Sequence, residues 1–205
     1  MDIPQLVGVA ASLSLIAGWR LYLSLFATGL AMRTGLIDLP VHAAGLALLA
    51  HPWVMGAAGI ALIAEFVADK VAWLDSLWDS VHLAIRPLGG ALLALAVADP
   101  ASTTTQVIAL LLGGSGAMLS HGAKAGTRAI VNASPEPFSN VAVSTGEDVV
   151  TGGLLFLIFN APVAAALVAG LLLIGTFTLI AAVKRMLNRL FTPPQKPRVP
   201  TDTPR

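Results

Sequence analysis

Ionisable and polar side chains recur at helical spacing inside segments that are otherwise apolar. Residues spaced three, four, seven or eleven positions apart fall on one face of a helix. Three such stripes consist of Asp75, Asp79, His82 and Arg86; of His121, Lys124 and Arg128; and of Asn140, Ser144, Glu147 and Thr151. A charge at the centre of a bilayer costs roughly 2.5 to 3.5 kcal/mol, so such residues usually face the interior of a helix bundle and mark function.

The stripe around Lys124 predicts a site for an anionic group. Lysine supplies a point charge, and Arg128 one turn later supplies a planar fork that suits a carboxylate or phosphate. Small residues between them let a ligand approach the backbone. The predicted substrate-binding residues are Arg20, His121, Lys124, Arg128, Asn140 and Ser144. The alternative is that the cations extend to lipid headgroups at the cytoplasmic end of a helix.

Adjacent carboxylates at Glu147 and Asp148 predict a proton site. At depth they would repel each other unless one is protonated or paired with Lys124, Arg128 or Arg20. A proton-coupled carrier needs such a carboxylate near titratable histidine. The predicted proton- or cation-coupling residues are Glu65, Glu147, Asp148 and His82.

The charges within or beside the apolar segments nearly balance. The acids are Glu65, Asp69, Asp75, Asp79, Glu147 and Asp148, and the bases are Arg20, Lys70, Arg86, Lys124 and Arg128. Unpaired, each would carry a large desolvation penalty. A buried ion-pair network that only fixes helix register is therefore an alternative to a working site.

A divalent-metal site is a further hypothesis for the first stripe. Asp75 and Asp79 lie one turn apart and His82 adds an imidazole, a set that suits a hard or borderline cation. Arg86 on the same face argues against a metal, and a solvated helix start is the simpler explanation of the two aspartates. We predict no other cofactor.

Composition indicates a polytopic membrane protein. The 205 residues are 56% hydrophobic and 11% charged, against about 25% charged in soluble domains. The net charge of +1 predicts no nucleic-acid partner. The absence of cysteine excludes disulfides and thiolate sites. The predicted partners are the lipid bilayer and a small polar solute or ion.

Six apolar stretches are long enough to cross the hydrocarbon, which takes about 20 helical residues. They lie near 6–32, 53–70, 79–98, 106–130, 138–159 and 162–184. The run 41–50 is shorter and predicts a re-entrant or interfacial piece. We expect an all-α bundle in a single transmembrane domain, 1–190, followed by a disordered cytoplasmic tail, 191–205.

The positive-inside bias predicts the orientation. Six bases follow the last apolar stretch: Lys184, Arg185, Arg189, Lys196, Arg198 and Arg205. This predicts a cytoplasmic C-terminus in the inner (plasma) membrane, and six spans return the N-terminus to the same side.

The two halves of the chain have related patterns. Gly18-Trp19-Arg20 matches Gly126-Thr127-Arg128, and each match precedes a helix that carries a glutamate. Two three-helix repeats, 6–98 and 106–184, would be related by inversion, as in many transporters. The small residues at 113–116 would permit a homo-oligomer or internal packing equally.

Several longer motifs resemble a known family. They are Glu65-Phe66-Val67-Ala68-Asp69-Lys70, Asp75-Ser76-Leu77-Trp78-Asp79, Arg86-Pro87-Leu88-Gly89-Gly90, His121-Gly122-Ala123-Lys124-Ala125-Gly126-Thr127-Arg128 and Asn132-Ala133-Ser134-Pro135-Glu136-Pro137-Phe138-Ser139-Asn140. Over about residues 8–185 the chain resembles the bacterial membrane family called domain of unknown function 4126 (DUF4126). The resemblance implies an integral membrane protein of several helices, without an assigned activity.

The sequence thus favours a small transporter or channel-like permease for an anionic or zwitterionic solute, with proton coupling through the charged cluster. A membrane-embedded enzyme or a metal-dependent lipid-processing protein that uses Asp75, Asp79 and His82 is an alternative. A structural or assembly protein is another. Enzymatic activity is the less favoured reading, since no nucleophile elbow or metalloprotease motif is present.

Overall fold

The computed structural model describes residues 3–36, 41–98, 101–133 and 138–191, and they are almost entirely helical. This confirms the predicted all-α class. The elements are a 3-10 helix, Val41–Ala50, and seven α-helices: α1 (Ile3–Trp19), α2 (Leu21–Arg33), α3 (Pro52–Ala68), α4 (Ala72–Val97), α5 (Thr103–Val131), α6 (Phe138–Asn160) and α7 (Pro162–Phe191). Within the predicted tail, 191–205, all residues after 191 lie outside the described part.

The apolar stretch 6–32 is not one helix, so the prediction that it forms one continuous helix is wrong. The backbone leaves helical geometry at Arg20, with φ −140° and ψ 76°. The break separates α1 from α2, and α2 packs against α3 and the 3-10 helix. It also places the Arg20 side chain, which is buried, among acidic groups from other helices.

Helix starts follow ordinary sequence signals. Pro52 occupies the first turn of α3, where its missing N–H costs nothing. Ser102 caps α5, because its hydroxyl accepts a hydrogen bond from the Thr105 N–H at 3.3 Å. The 3-10 helix is ten residues long, and whether it lies at a membrane interface stays a prediction.

Small residues let α1, α4 and α5 approach closely. A Cβ built on Gly113 would lie 2.5 Å from the Ala94 Cβ and 2.6 Å from the Gly90 carbonyl oxygen. A Cβ on Gly18 would lie 2.7 Å from the Ser120 Cβ. No side chain fits at these contacts, so glycine permits the helix spacing.

Apolar and charged residues occupy different halves of the bundle. The apolar core includes Leu13 and Ile16 of α1, Leu93 of α4, Ile158 of α6 and Ala165 of α7. These residues come from α1, from the C-terminal halves of α4 and α6 and from the start of α7. The opposite halves of α4 and α6, with the second half of α5, carry the charged side chains.

The outside of the bundle is apolar. Along α7, residues such as Leu167, Leu171 and Ile174 are more than half exposed. Three helices are long and apolar enough to cross a membrane, namely α4, α6 and residues Pro162–Met186 of α7. Of the other described α-helices, α1, α2 and α3 are apolar but shorter. Helix α5 is long enough but more polar.

Candidate functional site

Eleven charged side chains form one cluster, which we call the charge network; ion pairs join them in two groups, and the hydrogen bond from Arg128 to the Asp69 backbone carbonyl connects the groups. Its members are Arg20, Glu65, Asp69, Lys70, Asp75, Asp79, Arg86, Lys124, Arg128, Glu147 and Asp148. They come from α3, α4, α5, α6, the α1–α2 break and the α3–α4 turn. All six acids and five bases that the sequence places in or beside the apolar segments are included.

Asp69, in the turn after α3, lies at the centre of the network. Its carboxylate contacts Arg20 and accepts a hydrogen bond from Lys124 Nζ at 2.8 Å. Its backbone carbonyl accepts from Arg128 Nη2 at 2.5 Å and Asn140 Nδ2 at 3.4 Å.

Arg86 of α4 joins a second group of partners. Its Nη2 donates to Glu65 Oε1 at 3.1 Å, and its Nη1 donates to Asp79 Oδ1 at 3.0 Å. The same Nη1 lies 3.3 Å from the Gly18 carbonyl oxygen and 2.8 Å from His121 Nδ1. Lys124 links this group to Asp69, because its Nζ lies 3.9 Å from Asp79 Oδ1 and 2.8 Å from Asp69 Oδ2.

Hydrogen bonds restrict the forms of both histidines. Arginine has no acceptor, so His121 Nδ1 must present its lone pair to Arg86, and Nε2–H donates to the Asp79 carbonyl at 3.1 Å. His82 Nδ1 lies 2.8 Å from the Trp78 carbonyl and must donate to it. His82 Nε2 lies 3.0 Å from the Tyr22 hydroxyl, which can donate to it or accept from it. The His121 ring is therefore neutral in this arrangement, whereas for His82 only the proton on Nδ1 is specified.

Arg128 of α5 connects the network to α6. It donates to Asn140 Oδ1 at 2.7 Å and lies 3.3 Å from Asp75 Oδ1. Its Nε is 3.7 Å from Glu147 Oε2, which is beyond hydrogen-bond distance. Asp75 also accepts from Asn132 Nδ2 at 2.8 Å.

The network reaches the surface at a rim formed by Lys70, Glu147 and Asp148, whose side chains are 22%, 15% and 24% exposed. Asp148 bridges Arg20 Nη2 at 2.6 Å and Lys70 Nζ at 3.0 Å. Ser144 below the rim is buried and accepts from Lys70 Nζ at 2.7 Å. The rim therefore presents both signs of charge.

Several polar atoms of the network have no hydrogen-bond partner within the described part of the chain. These buried atoms include Glu65 Oε2, Arg86 Nε, Arg20 Nε and Glu147 Oε2. Because an unsatisfied buried polar group is costly, the two carboxylate oxygens suit a bound proton, and all four atoms suit a water molecule or a polar ligand.

The predicted substrate-binding residues come together. Arg20, Lys124 and Arg128 belong to the charge network, and His121, Asn140 and Ser144 hydrogen-bond to its members. Each of these cations already contacts a carboxylate, so an anionic solute would have to replace one. Neither Lys124 nor Arg128 extends to a headgroup position, because both side chains are buried.

The predicted coupling residues divide into two groups. Glu65, Glu147 and Asp148 lie in the charge network. His82 lies beside it, stacked on Trp78 with ring centroids 4.4 Å apart.

The hypothetical metal ligands do not converge. Asp75 contacts Arg128 and Asn132, Asp79 contacts Arg86, and His82 contacts Tyr22. Among the described residues there is no group of three or more histidine and acidic side chains that would hold a metal ion.

Five participants were not among the predicted substrate-binding, coupling or metal residues. They are Asp69, Arg86, Lys70, which completes the rim, Tyr22, which holds His82, and Asn132, which holds Asp75. The first three were indicated by the balance of charges in and beside the apolar segments. Asn132 continues the helical stripe that ends at Arg128 by one further turn. Tyr22 had no signal, because its partner lies 60 residues away in the sequence.

The comparison with known families agrees with these motifs. The profile described as domain of unknown function (DUF4126) matches residues 7–182, most of the chain. No curated protein and no solved structure gives a significant match. The resemblance that the motifs predicted is thereby confirmed, and the chain belongs to the DUF4126 family.

Proposed function

We propose that this chain is a small multi-pass protein of the inner (plasma) membrane that acts as a transporter or channel-like permease. Its solute is a small anion or zwitterion, and protons couple to the movement. The membrane location is supported by the apolar exterior of the bundle and by three helices of sufficient length. The charge network inside it is what a polar pathway through hydrocarbon requires.

The rim is the observation that carries the proposal. Asp148 is the most exposed acid of the network, and its carboxylate bridges two cations, Arg20 and Lys70. A solute carboxylate has the same chemistry and could take the place of Asp148 on both cations. The ammonium group of a zwitterion would then find Glu147 next to it.

Proton coupling follows from the unequal charges. Six acids and five bases leave one surplus negative charge when all are ionised. Uptake of a proton, or entry of a cationic group, makes the charge network neutral. Release of that proton or cationic group would accompany movement of the solute.

The six-span, two-repeat architecture is part of the proposal. In its favour, Arg20 and Arg128 occupy matching positions of the two predicted repeats and both contact Asp69. A site at the interface between two repeats is typical of such transporters. The break at Arg20 has no counterpart at Arg128, where α5 continues.

A structural or assembly role is the second candidate, and one observation favours it. Every base of the charge network already contacts an acid. This is expected of an ion-pair network whose role is to fix the positions of the helices. The enzyme alternative has no comparable support, since its proposed metal ligands do not converge.

Uptake into proteoliposomes tests the proposal. The full-length chain is reconstituted, and radiolabelled lactate, succinate, glycine and glutamate serve as probes under an imposed pH gradient, acidic outside. We expect accumulation of at least one probe above protein-free vesicles. Glu147→Gln removes a coupling acid at the rim and should abolish the pH-driven part.

Thr145→Val is the matched control, because Thr145 lies on the exposed face of α6 outside the charge network. It should transport like the wild type. If no probe accumulates, or if uptake survives Glu147→Gln and Asp148→Asn unchanged, the transport proposal is wrong and the structural role is favoured.

A further inference from the structure

We infer that Glu65 carries a proton in the resting protein and is the site at which the charge network binds and releases it. The side chain is fully buried at the end of α3. Oε1 accepts a hydrogen bond from Arg86, and Oε2 has no partner among the described residues. This inference concerns the resting protein and holds whether or not a solute is transported.

The first step is the charge count of the network. Six carboxylates face five cations, and the neutral His121 adds no charge, so a fully ionised network would hold one uncompensated negative charge. In a dry interior such a charge costs several kcal/mol. A proton on one carboxyl group removes it.

The second step excludes the histidines as carriers of that proton. A proton added to His121 would fall on Nδ1, which faces the Arg86 guanidinium at 2.8 Å. Protonation there would set two positive groups against each other and break the hydrogen bond. His82 is bonded at both nitrogens and is not in contact with an acidic side chain.

The third step compares the acids by the donors that each receives. Asp69 contacts Arg20 and Lys124, Asp148 contacts Arg20 and Lys70, and Asp75 contacts Arg128 and Asn132. Asp79 has Arg86 and, at longer distance, Lys124. Each of these four therefore has two donor groups within 4 Å, although Asp69 Oδ1 and Asp75 Oδ1 accept no hydrogen bond of their own within the described residues.

Two acids have fewer donor groups around them. Among the described residues, Glu65 has one donor, Arg86, which it shares with Asp79. The one donor to Glu147 in the same part of the chain is Arg128 at 3.7 Å, but the Glu147 side chain is 15% exposed and water at the rim can stabilise its charge. Glu65 has no exposed surface, so it is the acid for which ionisation is most costly.

The surroundings of Glu65 allow the proton to respond to the rest of the network. The charged groups near it are Arg86 on α4, Lys124 on α5, Arg20 at the α1–α2 break and Asp69 after α3. Tyr22 on α2 is the other titratable group close by. A change at the rim that pulls Arg20 or Lys124 away from Asp69 would alter the potential at Glu65.

Infrared spectroscopy of the purified full-length protein in detergent tests the inference. A protonated carboxylic acid absorbs at a frequency separate from carboxylates and amides. We expect such a band at neutral pH, a shift of the band when glutamate is labelled with ¹³C, and no shift when aspartate is labelled. The chain has only three glutamates, Glu65, Glu136 and Glu147, so the label is selective.

The variants Glu65→Gln and Glu147→Gln complete the test. Glutamine imitates a neutral carboxyl group, so we expect Glu65→Gln to lose the band and to melt within about 4 °C of the wild type. Glu147→Gln should keep the band. A band that persists in Glu65→Gln and vanishes in Glu147→Gln overturns the assignment.

Two further results would also overturn it. If the wild type has no band, and sodium chloride raises its melting temperature while choline chloride does not, a cation neutralises the network. If the band shifts with ¹³C-aspartate, the proton lies on another acid. Because the labelling experiments use the wild-type protein, a folding defect of a variant does not remove the test.

Discussion

At the scale of single residues, Asp69 determines how the charge network is held together. Its carboxylate forms ion pairs with side chains of the α1–α2 break and α5, and its backbone carbonyl accepts hydrogen bonds from α5 and α6. Asp69→Asn removes the negative charge and leaves Arg20 and Lys124 underpaired in the interior. Breaking a buried ion pair costs about 3–5 kcal/mol. We therefore expect a large drop in melting temperature, measured by thermal unfolding in detergent.

Asp148→Asn is the matched control for this change, since Asp148 also pairs with Arg20 but is 24% exposed. Water can replace part of its interaction, so its loss should be clearly smaller. Equal melting temperatures for the two variants would show that Asp69 is not the centre of the network.

The same contacts predict a loss of stability at low pH. In the folded chain the ionised Asp69 carboxylate pairs with Arg20 and Lys124, and a proton on it would remove both ion pairs. The unfolded chain therefore binds that proton more readily, and the stabilisation present at neutral pH is lost in acid. Unfolding measured between pH 7 and pH 3 should show this loss in the wild type and a smaller one in Asp69→Asn. Identical pH profiles would contradict the assignment.

At the scale of helices, the contact between α4 and α5 depends on Gly113. A Cβ at this position would meet Ala94 and the Gly90 carbonyl at 2.5 and 2.6 Å. Gly113→Ala must push the two helices apart, and overpacking of this kind costs about 1–3 kcal/mol. We expect a lower melting temperature in detergent.

The neighbouring Gly114 provides the control within the same helix. A Cβ there would have only ordinary contacts, 3.5 Å from Ala91 and Pro87. Gly114→Ala should be neutral or stabilising, because alanine favours a helix over glycine by up to about 1 kcal/mol. If both variants have the same melting temperature, Gly113 is not what permits the close approach of α4 and α5.

The sequence allowed much of this arrangement to be predicted, and the missing part has a physical cause. Helical spacing correctly put Asp75, Asp79, His82 and Arg86 on one buried face. The break at Arg20 was missed because no proline marks it and the flanking residues are as apolar as a continuous helix would be. Pairings such as Lys70 with Asp148 join residues far apart in the chain, and spacing within one helix contains no information about them.

At the scale of the whole molecule, the distribution of residues is the reverse of that in a soluble domain. Charged side chains fill one half of the interior, while leucine, isoleucine and valine cover the outside. In water such a surface would aggregate, whereas in a bilayer it meets lipid chains. The proposed inner-membrane location rests on this distribution.

The proposed topology gives a prediction at this scale. An even number of spans with Lys184 and Arg185 after the last one places both termini in the cytoplasm. A C-terminal green fluorescent protein fusion should fluoresce, and a C-terminal alkaline phosphatase fusion should be inactive. N-terminal fusions to the same two reporters should give the same results as the C-terminal fusions. An active C-terminal phosphatase would contradict the orientation.

The most direct measurement of the central claim is the accessibility of Ser144 from each side of the membrane. The chain lacks cysteine, so Ser144→Cys introduces a single thiol in a buried position beside Lys70 and Arg20. Membrane-impermeant thiol reagents are applied to right-side-out and inside-out vesicles. Thr145→Cys, on the outward face of α6, is the control and should not react in lipid.

If the charge network lines a transport pathway, the thiol at position 144 reacts from both sides. Reaction from one side only would mean a closed pocket, and absence of reaction from either side would mean a buried ion-pair lock; both results would contradict the transport account.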